Sequence, residues 1–343
     1  MKELLKSLSL EFGPSGCEDR VREKIKHEIS GYIDGYEVIE DALGNLIIHI
    51  GGEGPKLMVS AHMDEVGFMV TGILENGLIK VGTVGGIDPV CLSARRVISE
   101  SGVLGNIISK PIHLLSAEER TQAPKLKNLS IDIGADTKEE AEKLTFVGDY
   151  FTFDSDYREY GDGLVKCKAL DDRLGCAIMC QILKDIKNEK IKPQYDLYFA
   201  FTTREEIGFS GAYGASMRIK PLYAVIIESK AVADIEGVSE DKEVCRLGDG
   251  VIISYADRGT IYDRDFIRHI KKLADENGIK NQVNKYISGG TDSMHIQKNA
   301  YGTKVSTLSC ASRYIHSQSD VIHLDDVDAT YKTVLEIIKT AKE

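Results

Sequence analysis

From residue 164 onward, apolar strands and amphipathic helices alternate, and this limits the folds open to the chain more than any other feature. "LVKCKAL" leads into "DDRLGCAIMCQILKDI", and "DLYFAFTT" leads into "GFSGAYGASM". "YAVIIE", "VIISYA", the helix "DRDFIRHIKKLADEN", "NQVNKYI", "KVSTLS" and the helix "VDATYKTVLEIIKTAK" continue the series. Strands that are apolar along their whole length suit burial on both faces. The pattern therefore predicts an α/β fold, with a mixed, mostly parallel sheet sandwiched by helices. Upstream, "SGCEDRVREKIKHEI" sets Ser15 and Glu18 at capping-box spacing before a helix that carries Val21, Ile25 and Ile29 on one face. "YEVIED", "NLIIHI" and "KLMVSA" read as strands.

Between these two stretches the texture changes. "GFMVTGIL", "LIKVGTV", "RRVISE", "VLGNIIS" and "YFTFDSD" are short strands joined by Asn-Gly and Ser-Gly turns, and "TKEEAEKL" is the one helix in the stretch. The expected division is a main domain of residues 1–65 and 164–343, interrupted by a small β-rich domain over residues 66–163. A chain of 343 residues accommodates both.

Composition excludes several classes. The net charge is −11 and no basic patch is interleaved with aromatics, so neither nucleic acid nor an anionic membrane is an expected partner. The N-terminal "MKELLKSLSLEFGPSG" reads as an amphipathic helix interrupted by charges, not a signal peptide. Seven scattered cysteines without a CxxC signal neither a disulfide framework nor a zinc ribbon. Cys176 and Cys180 share one buried helix face, the Asn128 sequon is a chance match, and the expected compartment is cytoplasmic.

In open α/β sheets ligands bind beyond the carboxyl ends of the strands. Five apolar strands here end in metal-compatible side chains: His62 and Asp64, Asp171 and Asp172, Glu205 and Glu206, Glu228, and His316. A polar strand end alone is more often a solvated turn; recurrence across five strands of one sheet argues for a site. Asp64 lies two residues past His62, on the same side of an extended chain, and can accept the second imidazole N–H. Of the two aspartates, one can cap the following helix while the other reaches into the site. Adjacent glutamates point apart, so one of Glu205 and Glu206 can bind a metal while the other faces the reacting water. Histidine and carboxylate donors without thiolate favour zinc, cobalt or manganese.

The motifs "AHMDEVG", "ALDDRLG", "TTREEIGFSGA", "ISGGTDS" and "SRYIHSQSD", in this order, resemble the M42 family of di-metal aminopeptidases, within the clan of co-catalytic zinc exopeptidases. The likeness runs over nearly the whole chain, including "SGCEDRVREKI" and "KPIHLLSAEER". It implies a zinc-exopeptidase-like fold and an aminopeptidase that hydrolyses N-terminal residues from peptides using two divalent ions, zinc first, with cobalt or manganese as alternatives. By the same resemblance His62 and Glu228 serve the first metal, Asp171 bridges, Glu206 and His316 hold the second, Asp64 orients His62, and Glu205 is the general base. The insertion corresponds to the family's β-rich dimerisation domain, and relatives assemble into tetrahedral dodecamers. Two departures stand out: the family often has aspartate at the position of Glu228, and the proline that commonly follows is missing.

Competing functions are an N-acyl amino acid deacylase on the same metals, an endoglucanase, and a metal-stabilised scaffold. Glycosidases need a carboxylate pair and no metal, and few aromatics are available to stack sugars. A closed structural metal site needs no spare carboxylate, so Glu205 beside Glu206 argues against a scaffold. The remaining histidines have structural readings: His27 and His269 on helices, His49 in a strand, His113 in the insertion, and His323 at a helix approach. His295 either packs on a helix or lines the substrate pocket. Gly289-Gly290 marks a turn or a close backbone approach to the site.

Overall fold

Leu4, Leu5 and Leu8 bury one side of α1 (Lys2–Leu10), and Val21, Ile25 and Ile29 bury one side of α2 (Asp19–Ile29). The computed structural model describes residues 1–284 and 286–340. Three strands follow: β1 (Glu37–Glu40), β2 (Leu46–Gly51) and β3 (Lys56–His62). The chain then forms a closed antiparallel barrel from β4 (Gly67–Ile73), β5 (Ile79–Val84), β6 (Arg96–Ser99), β7 (Leu104–Ile108), β8 (Ser130–Asp132) and β9 (Tyr150–Phe153). Its own core gathers Phe68, Val70, Ile79, Val97, Ile107, Ile131, Phe151 and Phe153. The helix read from "TKEEAEKL" is a single turn, α3 (Lys138–Ala141), capped by the Thr137 hydroxyl.

Beyond the barrel come β10 (Arg158–Tyr160), β11 (Leu164–Cys167), α4 (Leu170–Asn188), β12 (Asp196–Thr202), α5 (Ser210–Ile219) and β13 (Tyr223–Ala231). The remaining elements are β14 (Val251–Ile253), α6 (Arg264–Glu276), β15 (Asn281–Val283), α7 (Ser293–Ile296), β16 (Lys304–Ser312), β17 (Asp320–His323) and α8 (Leu324–Lys339). Lys285 of "NQVNKYI", and Ala341 and Lys342 of the last predicted helix, lie outside the described residues. Among the described residues the main sheet has eight strands, in the order β1-β2-β12-β3-β13-β16-β14-β15. The four central strands β12, β3, β13 and β16 are mutually parallel. The flanking pairs β1–β2, β2–β12 and β14–β16 are antiparallel, so the sheet is mixed. α4 packs on β3 and β13 with α1, α2 and α8 around it, while α5 packs on β12 and β3 together with α7, and the sheet is sandwiched between them.

Two expectations need correction. "LVKCKAL" does not join the main sheet; β11 pairs with β10 and β17 in a separate three-stranded antiparallel sheet. Its burial alternates, with Val165 and Cys167 inside and Leu164 and Lys166 partly exposed, as suits a strand covered on one face only. Ser15 and Glu18 do not form a capping box either. The helix begins only after Glu18, with no side-chain cap, and both side chains turn inward toward the ends of the central strands.

Candidate metal centre

Adjacent parallel strands deliver side chains to one edge. In register, Thr202 of β12 lies beside His62 of β3, and Glu228 of β13 pairs with Ser309 of β16. His62 is the last residue of β3, Glu205 and Glu206 form the turn after β12, and His316 follows β16. Asp171 comes from the entry to α4, where the backbone of Asp171 and Asp172 is not helical. That irregular entry divides the two carboxylates. Asp172 Oδ1 accepts from the Gly175 N–H at 3.2 Å and caps the helix. Asp171 spans two histidines, with Oδ1 3.4 Å from His62 Nε2 and Oδ2 3.1 Å from His316 Nε2.

Both imidazoles present Nε2 to the centre because their Nδ1 atoms are engaged elsewhere. His62 Nδ1 lies 3.1 Å from the carbonyl oxygen of Asp64 and 3.3 Å from its carboxylate. His316 Nδ1 donates to the carbonyl oxygen of Gly86 at 2.7 Å, and its Nε2 is 3.1 Å from Glu206 Oε1. Glu228 Oε1 lies 3.6 Å from His62 Nε2. Asp64, fully buried, also accepts from Ser15 Oγ at 2.5 Å and from the backbone N–H groups of Glu205 at 3.0 Å and Glu206 at 3.2 Å.

The electrostatics record a deficit of positive charge. Burial pushes Glu228 up to about 8, with Asp171 adding to the rise. Burial likewise raises Glu205, Glu206 and Asp172, in part offset by the histidines. His316 is raised to about 12: burial opposes its charge, but hydrogen bonds to Asp171 and Glu206 prevail. Asp171 is lowered, since both histidines outweigh the cost of burying it.

These residues fit a pair of metal ions. Asp171 Oδ1, Asp172 Oδ2 and Glu228 Oε2 are buried without a hydrogen-bond partner among the described residues. Ligand atoms of His62, Asp172 and Glu228, and of His62, Asp171 and Glu206, lie within 4.8 Å of one another. The four carboxylates Asp171, Asp172, Glu206 and Glu228 are all buried or nearly so, and two divalent cations would match their charge. All donors are nitrogen or oxygen.

The seven residues expected at the site (His62, Asp64, Asp171, Glu205, Glu206, Glu228 and His316) therefore converge. Reading the sequence missed four others. Asp292 is buried, accepts from Thr202 Oγ1 at 2.8 Å and adds to the upward shift of Glu205. Asp320 is buried beside Asp171, Glu206 and His316. Glu18 is buried, with burial and the neighbouring Asp64 pushing it up to about 7. Lys230 lines the cleft. "GGTDS", "SQSD" and "SGCED" contain the three acids, but nothing in the spacing singles them out. Of the other histidines, His49 stacks on Tyr198, His295 stacks on Phe209 at the wall of the cleft, and His323 caps α8 through the Asp325 N–H.

In front of the centre lies a cleft of about 580 Å³, lined by Gly86, Glu205, Glu206, Phe209, Glu228, Lys230, Ser288–Thr291 and His316. Lys230 follows Glu228 by two residues on β13, and its Nζ donates to Ser288 O at 2.8 Å. No helix among the described residues is long and apolar enough to cross a membrane.

The chain as a whole is similar to known aminopeptidases. A family model described as M42 glutamyl aminopeptidase matches residues 44–333. A TET aminopeptidase from a marine sediment archaeon of the Thaumarchaeota superposes with a TM-score of 0.95 at 30% identity, covering 99% of this chain and 96% of that one. The TET1 peptidase of Pyrococcus horikoshii, described as able to assemble into a tetrahedron or a large octahedral shell, superposes at 0.88 with 34% identity and 99% coverage of both chains. A lysyl aminopeptidase of Pyrococcus furiosus is 28% identical over 351 residues, 99% of this chain and 97% of its own length.

Proposed function

This chain belongs to the M42 glutamyl aminopeptidase family and is an aminopeptidase, and we propose that it removes N-terminal residues from peptides at the centre built on His62 and His316. The observation that carries the site assignment is Asp171, reaching one histidine with each oxygen while Glu205 stands beside the cluster without an ion-pair partner among the described residues.

His62 and Glu228 would hold one ion, Glu206 and His316 the other, with Asp171 between them and Asp172 close to the first. The ions, when bound, supply Lewis acidity toward the scissile carbonyl and lower the pKa of a water toward about 7. The nitrogen and oxygen donors favour zinc, cobalt or manganese over thiophilic metals. Glu205 takes the proton of the attacking water and returns it to the leaving amine. Burial raises the pKa of Glu205 well above the ordinary carboxylate range, with Glu228, Glu206 and Asp292 adding to the rise. The excess of carboxylates at the cleft floor suits the positively charged amino terminus of a peptide.

Lys230 gives the cleft wall a cation, partly desolvated, and its position supports a preference for acidic N-terminal residues, as in the family's description and unlike the lysyl relative. We also propose self-association through the barrel, in keeping with the shells described for the TET1 relative. Val90, Leu104, Ile112, Leu114, Phe146 and Val147 are exposed there and would be covered by a second copy.

Aminoacyl-nitroanilides with free and acetylated amino termini, assayed with chelator and with metal returned, test the reaction. Cleavage of the free-amine series alone, lost with chelator, is the expected result. Release of acetate from N-acetyl amino acids, with no nitroaniline from the free-amine series, would make the chain a deacylase.

A further inference from the structure

Four successive backbone N–H groups at the base-bearing turn are each held by a side chain from elsewhere in the molecule. Thr203 donates to Asn45 Oδ1 at 3.0 Å, Arg204 to Glu18 Oε1 at 3.1 Å, Glu205 to Asp64 Oδ1 at 3.0 Å, and Glu206 to Asp64 Oδ2 at 3.2 Å. The three acceptors come from the loop before α2, the turn before β2 and the end of β3, and all are buried.

The turn needs such support. Arg204 sits at φ +59°, a left-handed conformation in which its Cβ crowds the following carbonyl oxygen. Thr203 and Glu205 are buried, which denies their amides the water that would satisfy an ordinary surface turn. Asp64 is already committed to His62. Neither Glu18 nor Asn45 is among the described residues that line the cleft. Glu18 Oε1 also accepts from the Gly16 N–H at 2.8 Å, and Ser15 of the same loop donates to Asp64. Asn45 Nδ2 is tied to Asp41 at 2.7 Å and to Gly211 O at 2.9 Å, so its own orientation is fixed.

We propose that Glu18 and Asn45 are positioning residues. They clamp the backbone of residues 203–204 so that the two following carboxylates diverge at a set angle, one toward His316 and one toward the water. Neither residue takes part in the chemistry. Their effect passes through the turn, and it rests on the roles proposed above for Glu205 and Glu206.

The test uses the full chain with Glu18→Ala, Glu18→Gln and Asn45→Ala. Metal affinity is measured by cobalt titration, and kcat and KM are measured at saturating metal. Glu18→Ala should weaken one of the two metal sites about 10-fold. It should also lower kcat about 10- to 100-fold with KM nearly unchanged. Glu18→Gln keeps the acceptor oxygen and should restore both readouts to within about 3-fold, a recovery set by the same bond. Asn45→Ala should follow Glu18→Ala in direction. Wild-type metal affinity and kcat in Glu18→Ala would overturn the proposal, and so would Glu18→Gln proving as impaired as the alanine variant. Should Glu18→Ala not fold, Glu18→Asp draws the acceptor back by one methylene and must show the same split. If the wild type binds two metals and Glu18→Ala weakens one, yet no N-terminal substrate is cleaved, the aminopeptidase reading falls and the positioning role stands.

Discussion

His316 of the peptidase sheet donates its Nδ1 proton to the carbonyl oxygen of Gly86 in the loop that leaves β5 of the inserted barrel, at 2.7 Å. A carbonyl can only accept, so the bond fixes the imidazole tautomer and leaves Nε2 facing Asp171 and Glu206. The insertion is thus built into the site.

The neighbouring Gly85 makes that loop sensitive to a single carbon. It adopts φ +85°, and a Cβ there would lie 2.8 Å from Val66 Cγ1 and 3.2 Å from Glu206 Cβ. Gly85→Ala should cost about 1 kcal/mol or more from the backbone alone, and should also push Glu206 from its place. Thermal unfolding and metal stoichiometry are the measurements. Two tightly held ions in a fully active alanine variant would show that the loop does not constrain Glu206.

Glu205→Gln keeps the shape of the side chain and removes its basicity. Turnover should fall about 100- to 10,000-fold while both ions are retained. An active Gln variant would remove Glu205 from the mechanism.

Lys230 should decide which N-terminal residues are accepted. Lys230→Glu places a like charge against an acidic side chain, and kcat/KM for glutamyl and aspartyl substrates should drop by about 10-fold or more, as for loss of a charge-assisted contact. The lysyl substrate should gain relative to both. An unchanged glutamyl-to-lysyl ratio would exclude this residue from the side-chain subsite.

Metal loading should release protons. Without ions Glu228, pushed up to about 8, and His316, raised to about 12, both hold protons at pH 7. Affinity should therefore climb from pH 6 to pH 9, and calorimetry in buffers of different ionisation enthalpy should record net release. The sign for stability follows from Glu228. Its folded value lies above the ordinary 4.5, so its protonation favours the folded metal-free chain, and that contribution is lost as pH rises toward 8. Chelator-treated protein should melt lower at pH 9 than at pH 6, and added metal should stabilise it more at the higher pH. A pH-independent affinity would contradict the shifts.

The sequence by itself determined what depends on neighbours along the chain. Apolar runs marked the central strands, and helical spacing marked α2, α6 and α8. The polar residues closing "LMVSAH", "LYFAFTT" and "YAVIIE" could be read because a parallel sheet collects its strand ends at one edge. Only the tertiary structure decided where side chains separated by 100 residues or more would meet. The pair Ser15 and Glu18 has capping-box spacing, yet Glu18 reaches Arg204 and Ser15 reaches Asp64, since bonds available in the buried centre replace the local one. Which aspartate caps and which reaches the histidines followed from the non-helical entry to α4, and a left-handed Arg204 stands at the start of the turn that carries Glu205 and Glu206. β11 lies in a separate sheet and buries only one of its faces, which its apolar run alone did not reveal. Spacing encodes direction only while the backbone is regular; at turns and helix entries, φ and ψ are set by the bonds that the rest of the fold supplies.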